Sequence, residues 1–258
     1  MPSHERIIEV GGLQNYRDLG GYLTRDGKHV VKYKHVYRAD NVSSVTAEGK
    51  KLLMEKLHLK YIIDFRCPAE KARSPQRSCS DFSYFSIPID ACAVREEVQK
   101  YPEVDGAMAE QMIRQVAKTF LIDFKEEYKY FFELLLHQVK GKPAVFHCMA
   151  GKDRTGIAAA LLLTALDVPP DTVMEDFLFS NQCCVAPTGA SMKVSHCTIT
   201  QDAINVLFRA QPYFLELAFG EVRRRYGSVT AYMEKELGLD KKHLQQLRGY
   251  YVRPKSSS

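Results

Sequence analysis

Apolar runs that suit buried strands alternate along this chain with apolar stripes at helical spacing. Residues 61–65 (YIIDF) and 84–89 (YFSIPI) are short runs rich in β-branched and aromatic side chains, which are typical of buried strands. Apolar side chains recur every three or four residues over 112–120 and 128–139, as they do on one face of a helix. Thr46 is a candidate N-cap, which predicts a helix before residues 61–65. The alternation predicts an α/β fold with a central, mostly parallel sheet flanked by helices.

Breaks in this pattern predict how the chain is organised. Thr172 begins a capping-box pattern that predicts the start of a helix. Residues 182–195 resemble a loop, and residues 253–258 (RPKSSS) resemble a disordered tail. The chain contains no internal repeat and no low-complexity linker. We therefore expect a single domain over residues 1–252, with a helical insertion at about 92–140.

Composition and charge narrow the function classes. The chain has 258 residues and is 45% hydrophobic, which is enough for a sizeable core. Its 36 basic and 31 acidic residues leave a formal net charge of +5, which favours anionic ligands mildly. This excess is small and dispersed along the chain. We therefore expect no nucleic-acid partner.

The cysteines and the apolar segments indicate a compartment. Seven cysteines occur without a C-x-x-C pair, which argues against a disulfide framework and a structural zinc site. The N-terminus shows no apolar signal segment, and the apolar stretch at 157–166 is about half the length that a membrane span needs. We expect a cytoplasmic protein that has no transmembrane segment. Transient contact of this protein with a membrane surface is compatible with that expectation.

Residues 147–156 (HCMAGKDRTG) combine a thiol and a guanidinium on one glycine-bearing turn. An apolar run precedes the turn and another follows it, which predicts strand, tight turn and helix. Backbone N–H groups at such a helix N-terminus point inward, and the helix dipole adds partial positive charge. A concavity of this kind binds a tetrahedral anion.

Cys148 and Arg154 are the residues from which we infer chemistry. The N–H groups and the arginine favour the thiolate form of Cys148. Arg154 can hold two phosphate oxygens in a bidentate fork, which a lysine cannot do. A thiolate beneath a bound phosphate predicts phosphoryl transfer to the cysteine. The expected phosphate-binding loop also includes Met149, Ala150, Gly151, Lys152, Thr155 and Gly156.

This motif resembles the signature of cysteine-dependent protein tyrosine phosphatases. The full string is similar to an atypical branch, tyrosine phosphatase family 3, typified by mycobacterial PtpB and listerial LipA. The blocks at 15–21 (NYRDLGG), 37–39 (YRA), 63–70 (IDFRCPAE) and 226–239 also resemble that branch. The resemblance implies a tyrosine- or dual-specificity-phosphatase fold and catalysis without a metal or other cofactor. It also implies phosphoprotein and phosphoinositide substrates, with phosphotyrosine, phosphoserine and phosphothreonine among them.

Two carboxyl groups are candidates for the general acid that must protonate the leaving oxygen. Asp153 lies beside Arg154, and the resemblance to the atypical branch favours it. The chain has no tryptophan, so the Trp-Pro-Asp acid loop of better-known relatives is absent. The adjacent guanidinium, however, favours the carboxylate form and makes Asp153 a weaker donor at neutral pH. Asp90, at the end of the predicted strand 84–89, is the second candidate.

Other residues near these blocks allow two interpretations. Lys152 either contacts a second anionic group of the substrate or is a solvated lysine at the rim. Cys67 either forms a protective disulfide with Cys148 on oxidation or only packs. We interpret the polar residues of the earlier blocks as hydrogen-bond partners behind the loop; they are Asn15, Arg17, Asp18, Asp64 and Arg66.

Two other functions remain open from the residues alone. A catalytically silent phosphate-binding scaffold would have the same cradle, although binding alone would not need the thiol of Cys148. An arsenate reductase would need a resolving cysteine close to the nucleophile. The nearest downstream candidate, Cys183, is separated from the motif by a whole predicted helix.

Overall fold

The computed structural model of the chain describes residues 6–76, 81–90, 93–184, 187 and 191–255. The strands are β1 (Arg17–Asp18), β2 (His29–Val31), β3 (Val36–Ala39), β4 (Tyr61–Asp64), β5 (Ser83–Ser86), β6 (Glu103–Val104), β7 (Ala144–His147), β8 (Ser191–Val194), β9 (Cys197–Thr200) and β10 (Val252–Pro254). The α-helices are α1 (Ala47–Glu55), α2 (Pro68–Arg73), α3 (Ala93–Val98), α4 (Gly106–Asp123), α5 (Lys125–Leu134), α6 (Arg154–Ala165), α7 (Pro170–Cys183), α8 (Gln201–Phe208), α9 (Pro212–Tyr226), α10 (Val229–Lys235) and α11 (Lys241–Tyr251). A 3₁₀ turn spans Val42–Ser44, and a π-helical turn spans Leu135–Val139.

The central sheet has the strand order β1–β3–β7–β4–β5. Strands β3, β7, β4 and β5 are parallel, and β1 pairs antiparallel with β3 at one edge. The expected mostly parallel sheet is therefore confirmed. In the register of the sheet, His147 pairs with Ala39 on one side and with Asp64 on the other. The loops after β3, β4 and β7 thus leave from the same edge, where ligands of open α/β sheets bind.

Alternating side chains cover both faces of this sheet. Ile62 and Val145 pack on the side of α1 in one hydrophobic cluster. Ile63 and Phe146, their neighbours in sequence, belong to the larger cluster that includes residues of α5 and α6. Since strands that are buried on both faces need helices on both faces, the sheet is flanked by helices as expected.

The region expected to be a helical insertion contains helices and one short strand. Strand β6 pairs with β9, and β9 pairs with β8, so that a second sheet of order β6–β9–β8 packs beside α4. The loop prediction for 182–195 is therefore wrong at both ends, because α7 extends to Cys183 and β8 begins at Ser191. Residues 185, 186 and 188–190 of that prediction lie outside the described residues. Strand β8 is short and half-exposed, and its sequence gives no local signal for a strand. It is a strand because it pairs with β9.

Other predicted boundaries also changed. Thr46 caps α1 as expected, with its hydroxyl accepting from the Gly49 N–H at 3.0 Å. The predicted helix start at Thr172 is wrong, because α7 begins at Pro170. A proline suits the first turn of a helix, since it lacks the N–H that would have no partner there. The strand predicted over 84–89 forms at Ser83–Ser86 instead.

The prediction of a disordered tail at 253–258 is wrong for residues 253–255, which the structure describes. Val252–Pro254 forms β10, which pairs antiparallel with β2, and the Lys255 N–H donates to the Lys28 carbonyl at 2.8 Å. Residues 256–258 lie outside the described residues. In the part of the chain that the structure describes, no helix is long and apolar enough to cross a bilayer.

Candidate active site

The motif forms strand, turn and helix in the predicted order. Strand β7 ends at His147 and α6 begins at Arg154, so residues 148–153 form the turn. Gly151 has φ +67°, and a Cβ there would lie 2.3 Å from the Ala39 carbonyl oxygen. A Cβ on Gly156 would lie 2.7 Å from the Phe177 ring. Both positions need glycine because β3 and α7 pack directly against the loop.

The loop carbonyls are bound from behind. The Asn15 side-chain amide donates to the carbonyls of Ala150 and Gly151, each at 3.1 Å. The Arg38 guanidinium donates to the Gly151 carbonyl at 2.7 Å. In a trans peptide the C=O and N–H groups point in opposite directions. The N–H groups of these peptides therefore face the other side of the loop, where an anion would bind.

A buried ionic cluster supports this arrangement. The Asp176 carboxylate on α7 accepts from Arg38 at 2.6 Å, from Arg17 at 3.2 Å and from the Tyr22 hydroxyl at 2.9 Å. Burial disfavours the charge of Asp176, but Arg17 and Arg38 lower its pKa to about 2. Two guanidinium groups against one carboxylate leave a net positive charge behind the loop. Sequence reasoning missed Asp176, which belongs to none of the blocks, and it did not assign a role to Arg38.

Arg154 is held in place by Glu70. The Glu70 carboxylate accepts from Arg154 Nη1 at 2.6 Å and from Nη2 at 2.7 Å, which is a bidentate pair. Burial disfavours both charges, but the pair lowers the pKa of Glu70. Glu70 and the negative charge of a Cys148 thiolate raise the pKa of Arg154. The sequence places Glu70 only within the block at 63–70. Its pairing with Arg154 is visible only in the fold.

Two buried thiols lie near the loop. Cys148 is 2% exposed and Cys67, at the cap of α2, is 1% exposed. Cys148 follows β7 and Cys67 follows β4, and these strands are neighbours in the sheet. A disulfide between the two on oxidation stays a prediction. Cys184 lies closer to the loop than the sequence indicated, since its Sγ donates to the Ala150 carbonyl at 3.5 Å. Separation by a whole helix therefore does not keep a second thiol away from the loop, because α7 returns the chain to it.

Lys152 and Asp153 bind each other. Lys152 Nζ lies 2.9 Å from Asp153 Oδ2 and 3.4 Å from the Arg209 carbonyl, to which it donates. Lys152 is only 7% exposed, so it is not a solvated rim lysine. Asp90, the other candidate acid, is exposed and follows Ile89, whose carbonyl accepts from Arg154 at 3.3 Å. The fold thus brings both candidate acids into the neighbourhood of Arg154.

His147, Asp64 and Arg66 form a second buried group at the same sheet edge. Arg66 binds the Asp64 carboxylate through Nε at 3.0 Å and Nη2 at 2.8 Å, and His147 Nε2 lies 3.7 Å from Asp64. Burial lowers the pKa of His147 to about 4, although Asp64 opposes the shift. Burial works to raise the pKa of Asp64, but His147 and Arg66 lower it to about 2. Asp64 and Arg66 are thus buried hydrogen-bond partners, as the sequence predicted, and they bind each other. The sequence prediction did not include His147.

A cavity of about 470 Å³ lies beside the loop, and Lys152, Asp153 and Arg154 are among the residues that line it. Among the described residues, no group of three or more His, Cys, Asp or Glu side chains could hold a metal ion. The arrangement as a whole can bind a tetrahedral anion next to a buried thiol.

Comparison with known proteins identifies the family. The family model described as the tyrosine phosphatase family matches residues 8–253. The chain belongs to the tyrosine phosphatase family. A Cupriavidus necator protein named as a tyrosine-protein phosphatase is 28% identical over 242 residues, which cover 93% of this chain and 86% of that protein. The triple specificity protein phosphatase PtpB of Mycobacterium tuberculosis is 27% identical over 200 residues, 68% of this chain and 69% of PtpB.

Among solved structures, the core catalytic domain of the PP-IP phosphatase SIW14 from S. cerevisiae aligns with a TM-score of 0.41 at 15% identity. The alignment covers 69% of this chain and 83% of that domain. The family model that matches residues 8–253 confirms the resemblance to tyrosine phosphatases at the level of the family.

Proposed function

We propose that this chain hydrolyses phosphomonoesters, with phosphotyrosine in proteins as the first substrate, through a phosphocysteine on Cys148. The observation that carries the proposal is the loop itself. Its carbonyls are bound from behind by Asn15 and Arg38, and Glu70 fixes Arg154 at its end. This leaves the backbone N–H groups and a guanidinium around the cysteine, which is an arrangement suited to a phosphate.

The reaction has two steps. The Cys148 thiolate attacks phosphorus, the bond from phosphorus to the leaving oxygen breaks, and an acid protonates that oxygen. Water then attacks the phosphocysteine while the same carboxylate accepts its proton, which releases phosphate and restores the thiolate. The N–H groups and Arg154 stabilise the charge on the phosphoryl oxygens in both steps. We propose Asp153 as the acid, with Asp90 as the alternative.

The substrate range and the compartment are also proposals. The triple specificity in the name of the mycobacterial relative supports phosphoserine, phosphothreonine and phosphoinositides as further substrates. A thiolate nucleophile must stay reduced, which supports a reducing compartment such as the cytoplasm. Phosphoinositide turnover would require transient contact with a membrane surface.

The test compares variants of Cys148 and Arg154. Cys148→Ser should reduce p-nitrophenyl phosphate hydrolysis to background while vanadate still binds, because the cradle and the arginine remain. Arg154→Ala should lose turnover and also weaken vanadate binding by about a hundredfold, since two charge-assisted hydrogen bonds are lost.

Cys197→Ser is the matched control, because that buried thiol lies on β9 and bonds only the Thr198 carbonyl among the contacts described. It should keep wild-type turnover. Measurable turnover by Cys148→Ser would contradict the phosphocysteine. A wild-type protein that binds vanadate but hydrolyses no phosphomonoester would indicate the silent scaffold instead.

A further inference from the structure

The cavity beside the loop has five charged lining residues and an otherwise apolar lining. The charged residues are Glu70, Arg95, Lys152, Asp153 and Arg154. The apolar lining includes side chains of α4, β8, β9, α8 and α9, among them Ile113, Val116, Phe120, Met192, Ile199 and Leu207. Phe208 also lines it and is 37% exposed, although large apolar side chains are normally buried.

The net charge of this lining suits one phosphate. Of the described residues that line the cavity, three are basic and two are acidic, which leaves a net charge of +1. Arg154 serves the phosphate, and Lys152 already donates to Asp153 and to the Arg209 carbonyl. Arg95 of α3, the third basic residue of the lining, is exposed to solvent. A leaving group with several further phosphates or hydroxyls would have polar atoms against an apolar wall, which is unfavourable.

The volume indicates a leaving group larger than one ring. An apolar cavity of about 150 Å³ holds one benzene molecule. This cavity has a volume of about 470 Å³. A single aromatic ring would therefore fill only about a third of the space.

We propose that this cavity is a subsite for an extended apolar leaving group, either a long alkyl chain or a fused ring system, of a single phosphomonoester. The inference rests on the proposed phosphatase function and narrows its substrate class. Chain atoms beyond the ester oxygen leave water and pack against α4 and α8, while the phosphate binds the loop. Phosphomonoesters whose leaving group is a multiply phosphorylated inositol are then poorer substrates than phosphomonoesters of apolar alcohols.

Two substrate series test the subsite with the full-length protein. The first is a set of n-alkyl phosphates from ethyl to decyl, used below their micelle concentrations. The second is phenyl phosphate against 1-naphthyl phosphate, with an inositol bisphosphate as the polar comparison. Each buried methylene should raise kcat/KM by up to about fourfold until the cavity is filled. A rise with alkyl length indicates a lipid-like alcohol, and a rise confined to the aryl pair indicates a ring system; either result supports the subsite.

A pair of variants shows whether this cavity is responsible. Val116→Phe fills the cavity from α4, so its loss of kcat/KM should increase with the length of the alkyl chain. Val229→Phe is the control, since Val229 is also a half-buried valine and lines a cavity of about 480 Å³ between α6, α7, α9 and α10. It should follow the wild-type series.

The subsite is wrong if kcat/KM is flat in both series, or if the inositol bisphosphate is turned over faster than decyl phosphate. An equal response of both valine variants would also overturn it. These results differ from a failure of the proposed function. In that case no substrate, including p-nitrophenyl phosphate, would be hydrolysed in a manner that depends on Cys148.

Discussion

Lys152 and Asp153 are neighbours in the loop whose side chains bind each other at 2.9 Å. Both line the cavity next to Arg154, so each is within reach of a bound substrate. The ion pair occupies the lysine and holds the carboxylate at the N-terminus of α6. The roles of these two residues can be separated by substrates that differ in leaving group.

The general acid should be revealed by the leaving group that needs a proton most. Asp153→Asn should lower turnover of phosphotyrosine far more than turnover of an aryl phosphate with a good leaving group, because only the former requires protonation. It should also remove the alkaline limb of the pH–rate profile. Asp90→Asn is the matched comparison, and the assignment is wrong if that variant alone shows this pattern.

Lys152→Ala should lower turnover of phosphoinositide and p-nitrophenyl phosphate by similar factors. The reason is that Lys152 binds Asp153 and the Arg209 carbonyl and therefore acts through the loop. If it contacted a second phosphate, the lost charge-assisted bond would cost about 1.5–3 kcal/mol on the phosphoinositide alone. Steady-state kinetics on both substrates decide between the two, and a selective loss on the phosphoinositide would contradict our interpretation.

Helix α7 and strand β3 determine the shape of the loop from behind. Asp176 of α7 binds Arg38 of β3, and Arg38 in turn binds the Gly151 carbonyl. Arg17 of β1 shares the same carboxylate. Three separate elements thus meet at one buried negative charge, and removal of that charge leaves two buried arginines with too few partners.

Asp176→Asn should therefore lower the free energy of unfolding by about 3–5 kcal/mol. It should also weaken vanadate binding, because Arg38 is no longer held against the loop. Urea unfolding and vanadate titration measure the two effects. Glu175→Gln, at the adjacent exposed position on α7, is the control and should stay within about 0.5 kcal/mol of wild type. Equal effects of both substitutions would show that the cluster does not support the loop.

Across the whole molecule, stability in acid depends on titratable groups that are buried near the loop. His147 is neutral in the fold at neutral pH, because burial lowers its pKa from 6.5 to about 4. The unfolded chain takes up a proton on His147 below pH 6.5, whereas the folded chain does so only near pH 4. Stability from this residue is thus complete above pH 6.5 and is lost as the pH falls through about 4.

The free energy of unfolding should accordingly fall by up to about 3 kcal/mol between these limits. Urea unfolding at a series of pH values measures the slope. His147→Asn should flatten it, whatever its effect on absolute stability, whereas His137→Asn at an exposed position should retain it. Asp64 and Asp176, whose pKa values are lowered to about 2, contribute only to the loss below pH 3.8. A slope that persists in His147→Asn would assign the effect to other groups.

The sequence by itself determined the phosphate loop, the strand–turn–helix around it and the family. These features depend on about ten consecutive residues, and an apolar strand, a glycine turn and a helix start are local signals. The parallel strands could be predicted for the same reason, since buried strands have a recognisable composition.

Only the tertiary structure decided which side chains hold the loop. Glu70 binds Arg154 across 84 residues of chain, and Arg38 binds Asp176 across 138. It also decided that β8 and β10 are strands and that helices from several parts of the chain enclose an apolar cavity beside the loop. Packing brings together the groups that form a buried hydrogen bond, a strand pairing or a cavity wall. These groups are far apart along the chain, so their spacing in the sequence does not predict the contact.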